Sequence, residues 1–375
     1  MSRINPKNER VKRRYLHWEA RARGKSPKTI NKIRKALVLY EEHIGYKDFG
    51  ELNSDVVVEF KEKLASQISK RTDNPLTLSY QREILGSLRS FFAWLKQESG
   101  YKKQINMNDI SYFSLSIKEQ RASKAPRSKN YPKSDQVIAV IKKMPVDSEI
   151  QQRDRAILTM LLLTGIRVDA LRTLKIKHVD LKKLKVFQNP NDVSTKFSKY
   201  IEANFIVFDE VLVGIIKDWI DWLQNKSGFS PDDTLFPKTA LGQSIDNELV
   251  PVGLDKKGWS TTSPIREIVK KAFEGAGFGY YNPHSFRDTH AHLIYDHGLS
   301  IEETNALSMN LGHDHVSTTL GSYGNIEPER RAQVLQSLSA KIQSHKKEVG
   351  SNTSQDLSPE EIVEKIKEIF IKGEV

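Results

Sequence analysis

A basic segment without aliphatic periodicity, from Lys118 to Pro132, divides this chain of 375 residues into two regions. It reads Lys-Glu-Gln-Arg-Ala-Ser-Lys-Ala-Pro-Arg-Ser-Lys-Asn-Tyr-Pro, a composition typical of a linker rather than of a packed helix or strand. A chain of this length also exceeds one typical core. We therefore predict two domains and two terminal segments, bounded as follows: a basic arm over 1–25, a first domain over 26–118, a linker over 119–131, a second domain over 132–340 and a tail over 341–375.

The first domain is predicted to be a helical bundle, because its apolar residues recur at helical spacing. Ser26 can cap the first helix and Pro27 can occupy its first position. Two further helices are predicted over residues 54–68 and 76–97. The preceding residues 1–25 are polar and basic, which is typical of either an arm or a first helix.

The positive charge of the chain is concentrated in its first third. Residues 1–131 contain 28 Lys and Arg against 14 Asp and Glu, whereas residues 132–375 contain 31 against 33. This asymmetry indicates a polyanion partner such as DNA, because Lys and Arg that face phosphates release condensed counterions. A basic solvated surface on a protein that does not bind nucleic acid is the alternative.

Several classes of protein are excluded by what the sequence lacks. It contains no Cys, which excludes disulfides, thiolate zinc sites and Cys nucleophiles. No apolar run approaches the roughly 18 residues that span a bilayer, and the basic N-terminus has no apolar signal region. A cytoplasmic protein without a membrane partner is therefore expected.

The second domain is predicted to be mainly helical with a small antiparallel sheet. Residues 154–165 are apolar on nearly every side, which predicts a central buried helix. Two strands are predicted within residues 183–208, separated by a polar turn that carries Lys196 and Lys199. Helical spacing predicts two further helices in this domain, at 210–225 and 264–276. It also predicts an amphipathic helix in the tail, at 358–371.

The second domain also contains residues that could bind a phosphate. His284 and Arg287 are three residues apart, so they share one face of a helix that begins near Pro283. Near a helix N-terminus both could bind one phosphate group. Arg167 follows Gly165 directly after the buried helix, where an Arg needs a partner because an unpaired buried charge is costly. The alternatives are that His284 and Arg287 are surface residues spaced by chance, and that Arg167 forms a structural salt bridge.

Two residues further along the chain could act on that phosphate. His313 follows Leu311-Gly312 in a turn-like setting, where it could donate to a phosphate oxygen or transfer a proton. The oxygen of Tyr323 could attack the phosphorus atom while Arg and His side chains hold the phosphate. The ordinary role of a single Tyr is that of a half-buried packing residue.

A metal site is the competing interpretation of this region, because six of the ten His fall within residues 284–315. These six are His284, His290, His292, His297, His313 and His315. Zinc hydrolases use His together with carboxylates. The sequence lacks a His-Glu-x-x-His pattern, however, and its two His-x-His pairs would diverge on a helix. We therefore expect neither a metal nor another cofactor.

Four short motifs resemble, in their order along the chain, those of the tyrosine recombinase (phage integrase) family. They are Thr164-Gly-Ile-Arg167, His284-Ser-Phe-Arg287, Leu311-Gly-His313 and Tyr323. The resemblance covers about residues 26–335 and implies a helical core-binding domain and a mostly helical catalytic domain that clamp double-stranded DNA. It also implies site-specific recombination through a 3′-phosphotyrosyl intermediate, by a homotetramer on paired sites or a dimer on one site, with room for accessory DNA-bending proteins.

The resemblance implies a role for each matching residue. Tyr323 would be the nucleophile, Arg167 and Arg287 would hold the non-bridging phosphate oxygens, and His284 and His313 would assist with proton transfer and hydrogen bonds.

The general acid is implied by the same resemblance. Lys196 best matches the family's hairpin lysine, which protonates the leaving 5′ oxygen, and Lys199 is the second choice. The covalent ester conserves the energy of the broken bond, so no nucleotide cofactor is required.

Two departures from the family pattern keep other functions open. Ala170 stands where many members have Asp or Glu, with Asp169 one residue earlier. Tyr323 follows His313 by ten residues rather than nine, so we predict that Gly321 breaks the helix and redirects the Tyr. The alternatives are a catalytically silent DNA-binding protein on the same fold and a relaxing enzyme of the type IB topoisomerase kind.

Overall fold

The structure, a computed structural model, describes residues 4–69, 72–124, 130–323 and 332–340. The chain divides into two compact units, Met1–Arg127 and Ser128–Val375. Both are mainly helical, and the strands form two small antiparallel sheets in the second unit, which confirms the predicted fold class. Within the described residues, no helix has the length and apolar character needed to cross a membrane.

The first unit is a bundle of helices around an aromatic core. Its helices, in chain order, are α1 (Pro6–Arg21), α2 (Pro27–His43), α3 (Ser54–Ser66), α4 (Leu78–Leu95), α5 (Met107–Ser111) and α6 (Ile117–Lys124). Ser26 caps α2 by accepting a hydrogen bond from the backbone N–H of Thr29. At the centre, the ring of Tyr40 packs edge-on against Phe60 and Phe92, with both pairs of centroids 5.3 Å apart.

Residues 6–21, which lie in the segment predicted as a basic arm, form the packed helix α1 instead. Asn5 caps this helix, and Val11 and Tyr15 lie four residues apart on the face that joins the core. Lys12 is also buried, where it pairs with the carboxylate of Glu41. The sequence left open an arm or a first helix for this segment, and residues 6–21 form the helix, with several of its charged side chains paired within the unit.

The first part of the predicted linker is helical as well. Residues 117–124 form α6, whose Ser123 accepts hydrogen bonds from Ser79 (3.0 Å) and Arg82 (2.9 Å) of α4. At the start of the helix, the backbone N–H of Ser116 donates to the side chain of Glu119, and the backbone N–H of Glu119 donates to the side chain of Ser116. Polar contacts thus stabilise this helix, which lacks the aliphatic periodicity that predicts a helix from sequence. Residues 125–129 and the predicted tail helix at 358–371 lie outside the described residues.

The second unit is built around a buried helix. Its helices are α7 (Ser134–Lys143), α8 (Glu149–Thr164), α9 (Val168–Leu171), α10 (Glu210–Asp221), α11 (Ser263–Gly275), α12 (Ser285–Asp296), α13 (Ile301–Asn310) and α14 (Val316–Tyr323). Helix α8 packs against α7, α10 and α11, and every residue from Ala156 to Thr164 is buried. This confirms the predicted central helix, which begins earlier than expected because Ser148 and Gln151 form a capping box.

Two antiparallel sheets flank the helices of the second unit. The first has the order β1 (Val179–Asp180), β2 (Lys185–Gln188), β3 (Ile201–Asn204), and it contains the predicted strand pair. Gln188 pairs with Ile201, so residues 189–200 form the loop that carries Lys196. The second sheet, β4 (Thr239–Gln243) with β5 (Leu249–Leu254), was not predicted. Gly and Pro residues within these strands, and a register shift after Ala240, obscure the strand pattern.

Candidate active site

The turn between α8 and α9 positions Arg167. Gly165 ends α8 in the left-handed conformation, with φ of 58°, which Gly adopts without steric cost. Arg167 follows in an extended conformation just before α9, and its side chain is half-buried. The tight turn thus brings an Arg to the end of the buried helix, as the sequence predicted.

Arg287 connects this turn to the segment that carries His313. It lies in the first turn of α12 and is only 2% exposed. Its Nη1 donates to the carbonyl oxygen of Gly165 (2.7 Å), and its Nη2 donates to that of Leu311 (2.6 Å). Arg287 therefore holds two distant backbone segments together, the turn after α8 and the segment before His313.

His313 accepts a hydrogen bond from Arg287 and donates one to helix α14. The Nη2 atom of Arg287 lies 2.9 Å from Nε2 of His313, and Nδ1 of His313 lies 2.8 Å from Oγ1 of Thr319. Because Arg can only donate, we assign the proton of His313 to Nδ1. The hydroxyl of Thr319 then donates to Ser308 on α13 (2.8 Å). This chain of bonds fixes the orientation of the imidazole.

Cationic groups from several segments converge on His313. Burial lowers the pKa of His313 to about 4, aided by the charges of Arg287, Arg167, Lys196 and His284, in that order. The imidazole is therefore neutral near pH 7. Five of the six predicted site residues are thus close enough to interact electrostatically, although they come from four separate stretches of the chain.

His284 and Lys196 form the exposed part of this group. His284 immediately precedes α12 and lies at the surface, where its backbone N–H donates to Asn282 Oδ1 (3.0 Å). Lys196 is exposed on the loop between β2 and β3. Lys199, the second candidate for the general acid, instead pairs with Asp314, the residue after His313. The ion pair ties the loop to the His313 turn.

Tyr323 is the last residue of α14, and its side chain lies outside the described part of the structure. The helix continues through Gly321, so the predicted break at that residue is wrong. A single Gly costs a helix only about 1 kcal/mol, which the helix tolerates here. Thr319, which contacts His313, lies in the same helix, four residues before Tyr323.

Comparison with known proteins places this arrangement in a family. Residues 132–330, just over half of the chain, match the model described as the phage integrase family. The chain belongs to this family. The predicted resemblance to tyrosine recombinases is therefore confirmed.

Curated relatives of the chain in this family carry the name tyrosine recombinase XerC. The protein of Anoxybacillus flavithermus is 28% identical over 237 residues, which cover 63% of this chain and 67% of the relative. That of Lactobacillus delbrueckii subsp. bulgaricus is 24% identical over 322 residues, covering 82% and 92%.

Solved structures of two integrases share the fold. The Tn1549 transposon integrase in complex with transposon right end DNA aligns with a TM-score of 0.56 at 16% identity, covering 88% of this chain and 99% of that one. A lambda integrase dimer bound to a COC′ core site aligns with a TM-score of 0.54 at 14% identity, covering 85% and 99%.

At Ala170 this phage integrase family member departs from the family pattern, and the structure shows what surrounds that position. Ala170 is buried, while Asp169 accepts a hydrogen bond from Nε of Arg172 (3.1 Å). Nη1 of Arg172 also donates to the carbonyl oxygen of Trp259 (3.1 Å). Asp169 is thus engaged in orienting Arg172 just after the Arg167 turn.

His290 contacts the end of α8 and the turn that carries Arg167, a role that the sequence did not indicate. Its Nε2 lies 2.5 Å from the carbonyl oxygen of Leu162, and its ring packs closely against Gly165. Complete burial lowers the pKa of His290 to about 4, so the ring is neutral and Nε2 donates. The sequence suggested His290 only as a metal ligand. Among the described residues no cluster of three or more His, Asp or Glu could hold a metal ion.

Thr319 and Ser308 were also missed. They complete the hydrogen-bond chain from His313, yet Thr and Ser are common residues and their spacing from His313 follows no motif. Only the packing of α13 against α14 brings them together. A structure is needed to find such orienting groups.

Proposed function

We propose that this protein is a site-specific DNA recombinase that breaks and rejoins strands through a covalent bond between Tyr323 and a 3′ phosphate. The observation that carries the proposal is the convergence of three cations, Arg287, Arg167 and Lys196, on one neutral His313, which lies 2.9 Å from Nη2 of Arg287. So much positive charge around an uncharged imidazole suits a bound phosphodiester. The two integrases described above, which share this fold, were solved with DNA.

The two Arg side chains would bind the non-bridging oxygens of the scissile phosphate. Arg287 is positioned by its bonds to two carbonyl oxygens, and Arg167 lies on the turn that one of these carbonyls belongs to. As Tyr323 attacks, the phosphorus becomes five-coordinate and its equatorial oxygens gain negative charge. A prepositioned guanidinium can contribute about 3 kcal/mol to such a transition state, or roughly a hundredfold in rate.

His313 would change its hydrogen-bonding role when DNA binds. In the free protein its Nε2 accepts a bond from Arg287. Burial and the neighbouring positive charges both lower the pKa of His313, and a bound phosphate would offset the charges, which favours uptake of a proton by the imidazole. Nε2 would then donate to a phosphate oxygen, while Nδ1 still donates to Thr319.

Two proton transfers complete the proposed reaction. A Tyr hydroxyl has a pKa of about 10 and must lose its proton as it attacks, and the exposed His284, in its neutral form, is our candidate for the acceptor. The bond between phosphorus and the 5′ oxygen then breaks, and Lys196 would protonate that oxygen. Attack by a new 5′ hydroxyl reverses the step and rejoins the strand. Neither transfer requires a metal or a nucleotide.

We assign the general acid to Lys196 because Lys199 is paired with Asp314. Lys196→Ala should slow single-turnover adduct formation about a hundredfold or more, within the range for general acid catalysis. Lys199→Ala, the matched control, should slow it much less. A 5′-bridging sulfur in the substrate is a better leaving group that needs no proton, so it should restore cleavage by Lys196→Ala. A larger defect in Lys199→Ala, restored in the same way, would reverse the assignment.

The proposal is tested by trapping the covalent intermediate. A pool of duplexes with a randomised segment, selected for binding, would supply the target site, and a nicked version of that duplex would trap the adduct on a denaturing gel. Wild-type protein should form the adduct, and Tyr323→Phe should bind the duplex without forming it. Tyr200→Phe, which alters an exposed Tyr on the loop before β3, is the matched control and should react normally.

Each other outcome points to a different function. An adduct formed by Tyr323→Phe would exclude Tyr323 as the nucleophile. Salt-sensitive binding without any wild-type adduct would favour a silent DNA-binding protein, and relaxation of supercoiled DNA without a specific site would favour a topoisomerase. Assembly as a homotetramer on paired sites and a dimer on one site belongs to the same proposal, and sedimentation of the protein with each duplex would test it.

The first unit would contribute much of the affinity for DNA. It holds nearly all of the excess of Lys and Arg found in residues 1–131. We propose that residues 26–118 form a core-binding domain and 132–340 a catalytic domain, so that together they hold the duplex. Phosphate contacts of this kind make binding weaken steeply as salt increases.

A further inference from the structure

Phe197 is an exposed aromatic residue in an unfavourable backbone conformation. It follows Lys196 on the loop between β2 and β3, and its side chain is 76% exposed. Its φ of 62° and ψ of 24° lie in the left-handed region, and the next residue, Ser198, also has a positive φ of 51°. A bulky residue rarely adopts this conformation, and such outliers concentrate at binding and catalytic sites.

Two lysines lie close to the ring of Phe197, beside the proposed active site. The Nζ atoms of Lys196 and Lys199 are 4.9 Å and 5.8 Å from its centroid. Lys199 pairs with Asp314, which adjoins His313. The exposed ring thus lies at the edge of the proposed phosphate site, with two cationic groups within 6 Å of its centroid.

We propose that Phe197 binds DNA directly, packing its ring against the nucleotide next to the scissile phosphate. The inference rests on the proposed function, because that function places a duplex at this surface. A base or sugar would cover the apolar ring, while the flanking lysines would face phosphates. Side chains that pack against bases in this way are found in many DNA-binding proteins. The contact would help to place the phosphate for attack as well as to bind DNA.

The substitution Phe197→Asn separates the proposed contact from a structural role. Asn tolerates the left-handed conformation better than other non-Gly residues, so the loop should keep its path while the ring is lost. We expect its thermal midpoint to equal or exceed that of the wild type. Its affinity for the nicked target duplex should fall on the order of tenfold, as for loss of one base–aromatic contact. Phe197→Trp, which keeps an aromatic ring, should retain the affinity.

A fluorescent base reports on the contact itself. With 2-aminopurine placed beside the scissile phosphate, binding of the wild type should change the fluorescence, and binding of Phe197→Asn at saturation should change it less. Ile245→Asn, which removes a fully exposed apolar side chain from the turn between β4 and β5, is the matched control and should behave like the wild type. Wild-type affinity and fluorescence in Phe197→Asn would overturn the inference, and so would a lowered thermal midpoint.

The experiment keeps this inference apart from the proposed function. Binding and fluorescence can both be measured in a Tyr323→Phe background, where no cleavage is expected. An adduct with the wild type, combined with no effect of Phe197→Asn, would overturn only the Phe197 contact. A Phe197-dependent signal without any wild-type adduct would support the contact and overturn the recombinase proposal.

Discussion

In the Arg287→Ala variant, the second unit is expected to be less stable and adduct formation to fall by well over a hundredfold. The guanidinium is almost completely buried, and its two Nη atoms bond to the carbonyl oxygens of Gly165 and Leu311. Each carbonyl left without a partner costs about 1–3 kcal/mol, which is offset in part because a buried charge is removed. We expect a net loss of about 3 kcal/mol, or roughly 10 °C in the midpoint of this unit.

The effect on catalysis should exceed that of losing one phosphate contact. Arg287 holds the turn that carries Arg167 and also bonds to His313, so its loss would displace two further members of the site. Arg167→Ala is the matched control, because it removes a half-buried guanidinium from the same proposed phosphate site. It should cost about a hundredfold in rate, the value for one charge contact, with a much smaller change in the thermal midpoint.

Thermal unfolding followed by circular dichroism, together with single-turnover trapping of the adduct, would measure both effects. Similar thermal midpoints for Arg287→Ala and the wild type would show that the carbonyl bonds contribute little to stability. Equal rate losses for the two variants, with both fully folded, would show that Arg287 acts on the phosphate alone.

The features that sequence could predict are those with a local signature. The spacing of apolar residues located α2, and a run of residues apolar on nearly every side located the buried helix α8, because both patterns are properties of neighbouring residues. The Gly and Arg of the Thr164–Arg167 motif, and the pair His284 and Arg287, likewise sit within short segments. Their residue types and spacing suggested phosphate binding.

The features that sequence could not predict depend on contacts between distant segments. Arg287 is positioned by backbone carbonyl groups, which every residue possesses and which therefore leave no pattern in the sequence. The same holds for Thr319 and Ser308, whose hydroxyls orient His313. Helix α6 was mistaken for linker because its contacts with α4 are polar.

The predicted break at Gly321 shows where counting residues fails. The interval from His313 to Tyr323 seemed to require a bend, because an extra residue rotates a helix by about 100°. That reasoning assumed a helix that starts directly after His313. The helix begins only at Val316, so the turn before it can absorb the additional residue. The position of Tyr323 in the chain of α14 therefore depends on where this helix begins and not on a break at Gly321.

Gly165→Ala should damage the site through a residue that contacts no substrate. Its φ of 58° is costly for Ala, and an added Cβ would lie 2.7 Å from Cδ2 of Leu311 and 3.3 Å from the ring of His290. We expect about 1–2 kcal/mol from the conformation and a further 1–3 kcal/mol from the crowding. Movement of Leu311 would also shift the carbonyl that holds Arg287, so adduct formation should fall as well.

Gly298→Ala separates the two contributions. Gly298 has nearly the same φ, 61°, but an added Cβ there would meet no atom within 4 Å, so only the conformational cost remains. The difference in unfolding free energy between the two variants measures the crowding at Gly165. Replacing Leu311 with Val removes the closest methyl group, so Gly165→Ala should cost less in that background, which a double-mutant cycle would show. Equal costs for Gly165→Ala and Gly298→Ala, with normal adduct formation, would mean that the contact between Gly165 and Leu311 does not position Arg287.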